Sequence, residues 1–279
     1  MPPAGPLIPA PTAADTARYA RLAALAAEAA LAVGEQIKVD DVAIVTRKRG
    51  RANFATAADH AAELEIIRRL RAHDRAIPIL AEESADRKLR RAPRLWVVDP
   101  LDGTLNFSRA IPFYCVAIAY VEDGRARAAA VHAPRTGELF VAHEGGGAKL
   151  HGARIGVSGL ARASEAFAVT SLAFKAASRK DSRFTALNST VARLRVIGSA
   201  ALEICYVACG KFDLFVHEAL APWDIAAAQL IAREAGATVR SLKTGADAAW
   251  DEPQVVIGNP QIVKDLLTKV PSLVHAPRK

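Results

Sequence analysis

Four stretches of the chain set carboxylates at the ends of strongly apolar segments: Asp59, Glu82-Glu83, Asp99 with Asp102, and Asp224. Solvated acidic side chains need no such setting. Carboxylates gathered at one sheet edge repel one another, so cations must neutralise them or some must stay protonated. An oxygen-only ligand set, with no clustered Cys or His, favours Mg²⁺ or Mn²⁺ over zinc. Two such ions clamp a phosphate, lower the pKa of a bound water and steady a departing alkoxide. Taken singly the acids have plainer roles, Asp59 and Asp224 as helix caps and Glu83 as a solvated loop residue. Their convergence is what metal-bridged phosphate chemistry requires.

The densest of these stretches is 95–107. Its first residues are apolar and rich in β-branched types, which predicts a strand buried on both faces. Pro100 has no N–H for a ladder and is expected to stop that strand. Asp99 and Asp102 then stand at its carboxyl end, where open α/β sheets place ligands. Gly103 removes bulk from the turn and Thr104 supplies a hydroxyl. A helix starting here would aim free N–H groups at the same point.

Other elements must carry the remaining acids. An Ala/Leu-rich helix is expected over 13–33, then a basic loop over 39–51 ending in Gly50. A short strand end at 53–58 leads into a helix from Asp59 to about Arg71. A buried strand over 76–81 closes on Glu82-Glu83-Ser84, beside the Asp99 strand. Residues 113–157 read as an antiparallel meander with strands at 115–121, 126–132, 139–142 and 155–157. Gly145-Gly146-Gly147 lacks a following Lys-Ser/Thr and reads as a hairpin turn rather than a phosphate loop. From Ala166 strands (166–170, 194–196, 212–216, near 237 and 255) alternate with helices (182–192, 200–208, 223–235, 260–269), which implies a layered α/β architecture.

Composition narrows the class. Hydrophobic residues make up 51% of the 279 positions, a globular proportion. The three cysteines, Cys115, Cys205 and Cys209, sit in apolar contexts without zinc spacing and read as reduced thiols of a cytoplasmic protein. Residues 1–11 have no basic n-region of a secretory signal, and the charges in 13–33 disfavour a membrane span. The net charge of +8 is dispersed except for Arg87-Lys88-Leu89-Arg90-Arg91 and clusters near Arg47 and Arg68. No nucleic-acid-binding signature accompanies it, so solvated basic loops are favoured over a nucleic-acid partner, with phosphate steering a weaker possibility.

The motifs Trp96-Val97-Val98-Asp99-Pro100-Leu101-Asp102-Gly103-Thr104, Ala81-Glu82-Glu83-Ser84 upstream and Trp223-Asp224-Ile225-Ala226-Ala227 downstream resemble the inositol monophosphatase family. Asn53-Phe54-Ala55-Thr56-Ala57-Ala58-Asp59 and the turn Gly198-Ser199-Ala200-Ala201 are similar to further family segments. The resemblance implies an alternating αβαβα sandwich of the inositol monophosphatase and fructose-1,6-bisphosphatase type. It implies a Mg²⁺-dependent, lithium-sensitive phosphomonoesterase, a homodimer acting on a small phosphorylated metabolite by in-line attack of Mg²⁺-activated water. Glu82, Asp99 and the Leu101 carbonyl would hold one ion, and Asp99, Asp102 and Asp224 a second. Glu82 would face a weaker third through water. Thr104 with Glu82 would orient the attacking water, assisted by Asp59, and the N–H groups of Gly103 and Thr104 would take the phosphate oxygens. Gly198, Ser199 and Ala200 would line the substrate side.

Two positions depart from the family pattern. Ala81 replaces a customary glycine. His217 stands seven residues before Asp224, where inositol-selective members carry a substrate-binding Glu; either a one-residue shift lets Glu218 bind the substrate in its place, or His217 binds a different substrate. The resemblance thus implies a small polyol, sugar or related phosphate as substrate, with adenosine 3′,5′-bisphosphate, fructose 1,6-bisphosphate and histidinol phosphate as family alternatives. Arg193 and Arg195 are candidates for a second phosphate. A non-catalytic regulatory protein on this fold is the reading from another class. One domain is expected over 13–271, in halves 13–157 and 158–271, with tails at 1–12 and 272–279.

Overall fold

A computed structural model of the chain describes residues 11–37, 44–47, 54–172 and 182–274. The basic loop over 39–51, apart from a strand at 44–47, lies outside the described residues, as do Asn53 and the outer parts of both expected tails.

Helix α1 (Ala13–Gly34) starts at a capping box, in which Asp15 N–H donates to the Thr12 hydroxyl oxygen and Thr12 N–H returns to the Asp15 carboxylate, both at 3.2 Å. Its alanine-rich sequence favours helix and keeps the packed face thin. β1 (Ile44–Arg47) pairs with β2 (Phe54–Thr56), and α2 (Ala57–His73) follows at once. A seven-stranded sheet then forms from β3 (Ile79–Ala81), β4 (Arg94–Asp102), β5 (Cys115–Glu122), β6 (Arg125–Ala133), β7 (Glu138–His143), β8 (Gly147–Leu150) and β9 (Ala153–Arg154), adjacent in chain order. Only the β3–β4 pair is parallel. The short helix α3 (Thr104–Ser108) leaves β4 directly.

The second half supplies β10 (Phe167–Thr170), α4 (Ser182–Thr190), β11 (Arg193–Arg195), α5 (Ala200–Ala208), β12 (Leu214–His217), α6 (Pro222–Glu234), β13 (Thr238–Ser241), β14 (Val255–Gly258) and α7 (Pro260–Lys269). Its five strands run in the order β11-β10-β12-β14-β13.

Three apolar clusters separate five layers. Successive side chains of a strand face opposite ways, so Trp96 and Val98 of β4 join α1 and α2 on one face. Leu95 and Val97 turn instead towards α5 and α6, which also cover Val169, Phe215 and Ile257 of the second sheet. The far face of that sheet, with Ala168, Leu214 and Val256, packs on α4 and α7. The order is αβαβα, as the resemblance implies. Trp96 is fully buried, with its ring edge-on to Tyr120 at 5.2 Å. Such an aromatic pair contributes about 0.5–1.5 kcal/mol beyond the area it buries. At the end of α1, Gly34 is required by space, because a Cβ there would meet the buried His132 ring at 2.5 Å.

Three expectations need correcting. Pro100 does not end β4: the ladder with β5 skips at a bulge between Asp99 and Asp102 and resumes at the pair Asp102–Cys115. A bulge leaves a residue unpaired, which suits a residue without an N–H. Residues 155–157 form no strand. The glycine run is the β7–β8 turn, closed by Gly146 N–H to His143 C=O, and the next strand follows it directly as β8. The basic run at Arg87–Arg91 forms a turn of 3₁₀ helix, where a charged loop was expected. The glycine turn also anchors α6, since the Glu234 carboxylate accepts from Gly145 N–H at 2.9 Å and Gly147 N–H at 2.8 Å.

Candidate active site

Parallel pairing of β3 and β4 places Ala81 opposite Val98, so Glu82, just past the end of β3, comes beside Asp99 within β4. Glu82 N–H donates to the Val98 carbonyl at 3.2 Å, and the next N–H, of Glu83, donates to buried Glu63 at 2.8 Å. Asp99 falls on the β4 face that carries Leu95 and Val97, towards α6. Asp224 arrives from the first turn of that helix, its carboxylate accepting from Ala221 N–H at 2.7 Å. It is thus the third helical residue, reaching back to the N-terminus, rather than the N-cap. Asp59 occupies the corresponding place in α2, fully buried and facing inward.

These carboxylates feel one another. Burial pushes Asp99 well above the usual carboxylate range, and the charges of Glu82, Asp102 and Asp224 push it further. Burial also raises Asp102, against the Ser199 hydroxyl, the N–H groups of Ala201 and Ala200, and the Cys115 thiol. The donors lie at 2.7 Å for Ser199, 3.2 Å for Ala200 and 2.7 Å for Ala201. Cys115 lies 3.7 Å from the same carboxylate, and burial keeps its thiol protonated. Among the described residues no three His, Cys, Asp or Glu side chains close into a metal cage. The acids face one another at charge–charge range. Their donor chemistry fits a hard divalent cation, which would relieve the repulsion that raises Asp99.

Gly103 follows β4 with φ of +94°, a left-handed conformation that glycine adopts without strain. A Cβ there would also lie 3.1 Å from both the Phe113 carbonyl and Ser199 Cβ. The Thr104 hydroxyl lies 3.0 Å from Asp59 Oδ1 and 3.1 Å from the Leu101 carbonyl. It has one hydrogen to give to either, and its lone pairs remain for an incoming donor.

A cavity of about 220 Å³ opens beside this group, lined by Asp102, Gly198, Ser199, Ala200, His217 and Asp224, with Thr170, Ser171 and Glu203. Ala219 N–H donates to His217 Nδ1 at 3.0 Å, so the ring hydrogen of the neutral imidazole resides on Nε2. His217 therefore brings a hydrogen-bond donor where a carboxylate would bring an acceptor. Glu218 does not line this cavity; it pairs with Arg183. Arg193 and Arg195 are exposed on the edge strand β11, each donating from Nη1 to the preceding carbonyl.

Sequence reasoning did not single out Asn106, Glu203 or Glu63. Buried Asn106 donates to the carbonyls of Phe113 at 2.8 Å and Ile197 at 3.0 Å, tying α3 to the Gly198 turn. Glu203 accepts from Gly198 N–H at 2.9 Å and Ile197 N–H at 3.2 Å, and burial lifts its carboxyl to about 7. The apolar sequence around Glu203 was a signal, because a carboxylate inside a hydrophobic helix face needs partners.

Residues 15–275 match the inositol monophosphatase family. The chain is 37% identical over 234 residues to the Nus factor SuhB of Escherichia coli (strain K12), covering 82% of this chain and 86% of that protein. It is 34% identical over 226 residues to the fructose-1,6-bisphosphatase/inositol-1-monophosphatase of Thermotoga maritima, covering 81% and 85%. A solved Thermotoga maritima IMPase superposes with a TM-score of 0.80 at 31% identity, over 91% of this chain and 98% of that one. The extragenic suppressor protein suhB of Bartonella henselae superposes with a TM-score of 0.81 at 29% identity, over 90% and 98%. With one family spanning nearly its whole length and the αβαβα layers to match, the chain belongs to the inositol monophosphatase family.

Proposed function

We propose that the chain is a Mg²⁺-dependent phosphomonoesterase acting on a small phosphorylated metabolite. The observation that carries this reading is the meeting of Glu82, Asp99, Asp102 and Asp224, from β3, β4 and α6, beside the 220 Å³ cavity. Glu82, Asp99 and the Leu101 carbonyl would hold one ion, and Asp99, Asp102 and Asp224 a second, with Glu82 reaching a third through water. Mn²⁺ suits the same oxygens. Ions there supply Lewis acidity to the phosphate ester and lower the pKa of water.

The chain's own groups do the positioning. With its hydrogen on Asp59 or Leu101, Thr104 accepts from a water and, with Glu82, aims it along the line of the P–O bond. The N–H groups of Gly103 and Thr104 meet the phosphate oxygens, whose charge they stabilise as it develops. Gly198, Ser199 and Ala200 border the leaving alcohol, and His217 stands in the same cavity wall. The relative named for both fructose-1,6-bisphosphatase and inositol-1-monophosphatase supports the activity class. Purified protein incubated with Mg²⁺ and a panel of phosphate esters should release phosphate; no release from any ester at millimolar Mg²⁺ would sink the proposal.

A second reading is regulatory, favoured by the several relatives named Nus factor SuhB. On that reading Asp99→Asn would leave the cellular role intact. We further propose that 13–271 is one folded unit, because α5 and α6 share a core with both sheets. A homodimer is supported by Leu105, Ile111 and Val196, which are 40%, 46% and 40% exposed around the Asn106–Ile197 tie. Light scattering that gives a monomer mass would refute it. Three unpaired thiols support a reducing, cytoplasmic setting. Lithium inhibition is part of the same proposal.

A further inference from the structure

Helix α5 carries a single charged residue, Glu203, and buries it to 3% exposure. A carboxyl inside an apolar helix face is costly, and an apolar side chain of similar size would spare that cost. What Glu203 holds must therefore explain its place. Its Oε1 accepts from Ile197 N–H at 3.2 Å and from Gly198 N–H at 2.9 Å. Burial raises this carboxyl, and the N–H groups of Gly198, Ile197 and Ser199 pull it back. The following N–H groups, of Ala200 and Ala201, go to Asp102, and the Ser199 hydroxyl joins them. Every N–H from Ile197 to Ala201 thus faces one of two carboxylates.

The turn between those carboxylates has little freedom of its own. Gly198 is left-handed, with φ of +98°. The Ile197–Gly198 peptide is held on both edges, its carbonyl by buried Asn106 at 3.0 Å and its N–H by Glu203. Rotating that plane would swing Ser199 away from Asp102. Ser199 also backs the proposed phosphate seat, since a Cβ on Gly103 would lie 3.1 Å from Ser199 Cβ. Glu203 and Asp102 both line the 220 Å³ cavity, and the charge of Asp102 pushes the Glu203 carboxyl up. The N–H groups between the two acids offset that repulsion.

We propose that Glu203 is a positioning residue for Asp102. By fixing the Ile197–Gly198 peptide it aims the Ser199 hydroxyl and the Ala200 and Ala201 N–H groups at the carboxylate assigned to the second ion. The inference rests on the metal reading of Asp102, and goes beyond it by placing control of that ligand on α5. A role confined to closing the N-terminus of α5 would use the same hydrogen bonds but leave Mg²⁺ affinity alone.

Two variants of the full chain test it. Glu203→Leu removes the acceptor and keeps the bulk, whereas Glu203→Gln keeps the acceptor. Calorimetry with Mg²⁺ should show about a tenfold loss of affinity in Glu203→Leu, the usual effect of a group acting behind a ligand. Glu203→Gln should retain most of the affinity. In a Ser199→Ala background Glu203→Leu should cost much less, because the hydroxyl it aims is already gone. Where Glu203→Leu does not fold, Glu203→Asp, one methylene shorter, takes its place. Crystal structures give a reading that needs no metal: the Ser199–Asp102 hydrogen bond should be lost in Glu203→Leu and kept in Glu203→Gln. A parent chain that binds Mg²⁺ but hydrolyses no ester loses the phosphatase reading alone. One that binds no Mg²⁺ loses the metal reading, and the crystal structures still decide the role of Glu203. A Ser199–Asp102 bond kept in Glu203→Leu, Mg²⁺ affinity equal to that of the parent, or full additivity with Ser199→Ala overturns the proposal.

Discussion

The Ser199 hydroxyl donates to Asp102 Oδ2 at 2.7 Å, joining residues 97 positions apart. This bond, with the N–H groups of Ala200 and Ala201, makes the Gly198 turn a cradle for a carboxylate proposed to hold a metal. Removing the hydroxyl with Ser199→Ala takes away a donor that lowers the Asp102 pKa. Divalent binding should weaken by about tenfold or more, the usual effect of losing a group behind a ligand. Calorimetry with Mg²⁺ checks this, and unchanged affinity would show that the cradle does not tune Asp102.

Asp99→Asn should abolish phosphate release while the chain still folds. Without metal the variant should melt at a higher temperature than the parent, because the buried charge facing Glu82, Asp102 and Asp224 is gone. Mg²⁺ should stabilise the parent strongly and the variant little. Thermal melts in a chelator and in Mg²⁺ decide the point; an equal Mg²⁺ shift in both chains would remove Asp99 from the metal site.

Glu203 makes stability pH-dependent. Its carboxyl lies near 4.5 when unperturbed and at about 7 in the fold, chiefly through burial. The folded state therefore holds a proton that the unfolded state releases. This contribution is fully present below the unfolded value and is lost as pH rises through about 7. Glu203→Gln keeps an acceptor for the Ile197 and Gly198 N–H groups and cannot ionise. Urea unfolding between about pH 5 and 8 should show a flatter profile for the variant, and parallel profiles would contradict the assignment.

His217→Glu replaces a donor with an acceptor in the cavity wall. The ratio of kcat/KM for inositol 1-phosphate over fructose 1,6-bisphosphate should rise by about tenfold, because a carboxylate accepts from substrate hydroxyls where the neutral imidazole donates. A ratio that does not move would take His217 out of substrate recognition.

Much of this architecture is legible in the sequence because it follows from periodicity. Leu95 and Val97 against Trp96 and Val98 already describe a strand with a core on each side, and the glycine run at 145–147 is the hairpin it reads as. That Glu82 and Asp99 lie side by side follows from two consecutive buried strands. What local pattern could not show is set by packing between distant segments. Pro100 has the signature of a strand end, yet the β5 ladder continues past it by a bulge. Asn106 and Glu203 acquire their roles only when α3 and α5 meet at the Gly198 turn.

Helix α6 carries Asp224 in its first turn and Glu234 at its end, with Glu234 fastened to the Gly145–Gly147 turn. At 1.5 Å and about 100° per residue, the helix is a spacer of fixed length and phase between that turn and the site. One inserted residue would swing Asp224 to a different side while the anchor stayed put. The number of residues between these two acids therefore sets where Asp224 points, and a change in it would turn that carboxylate away from Asp99.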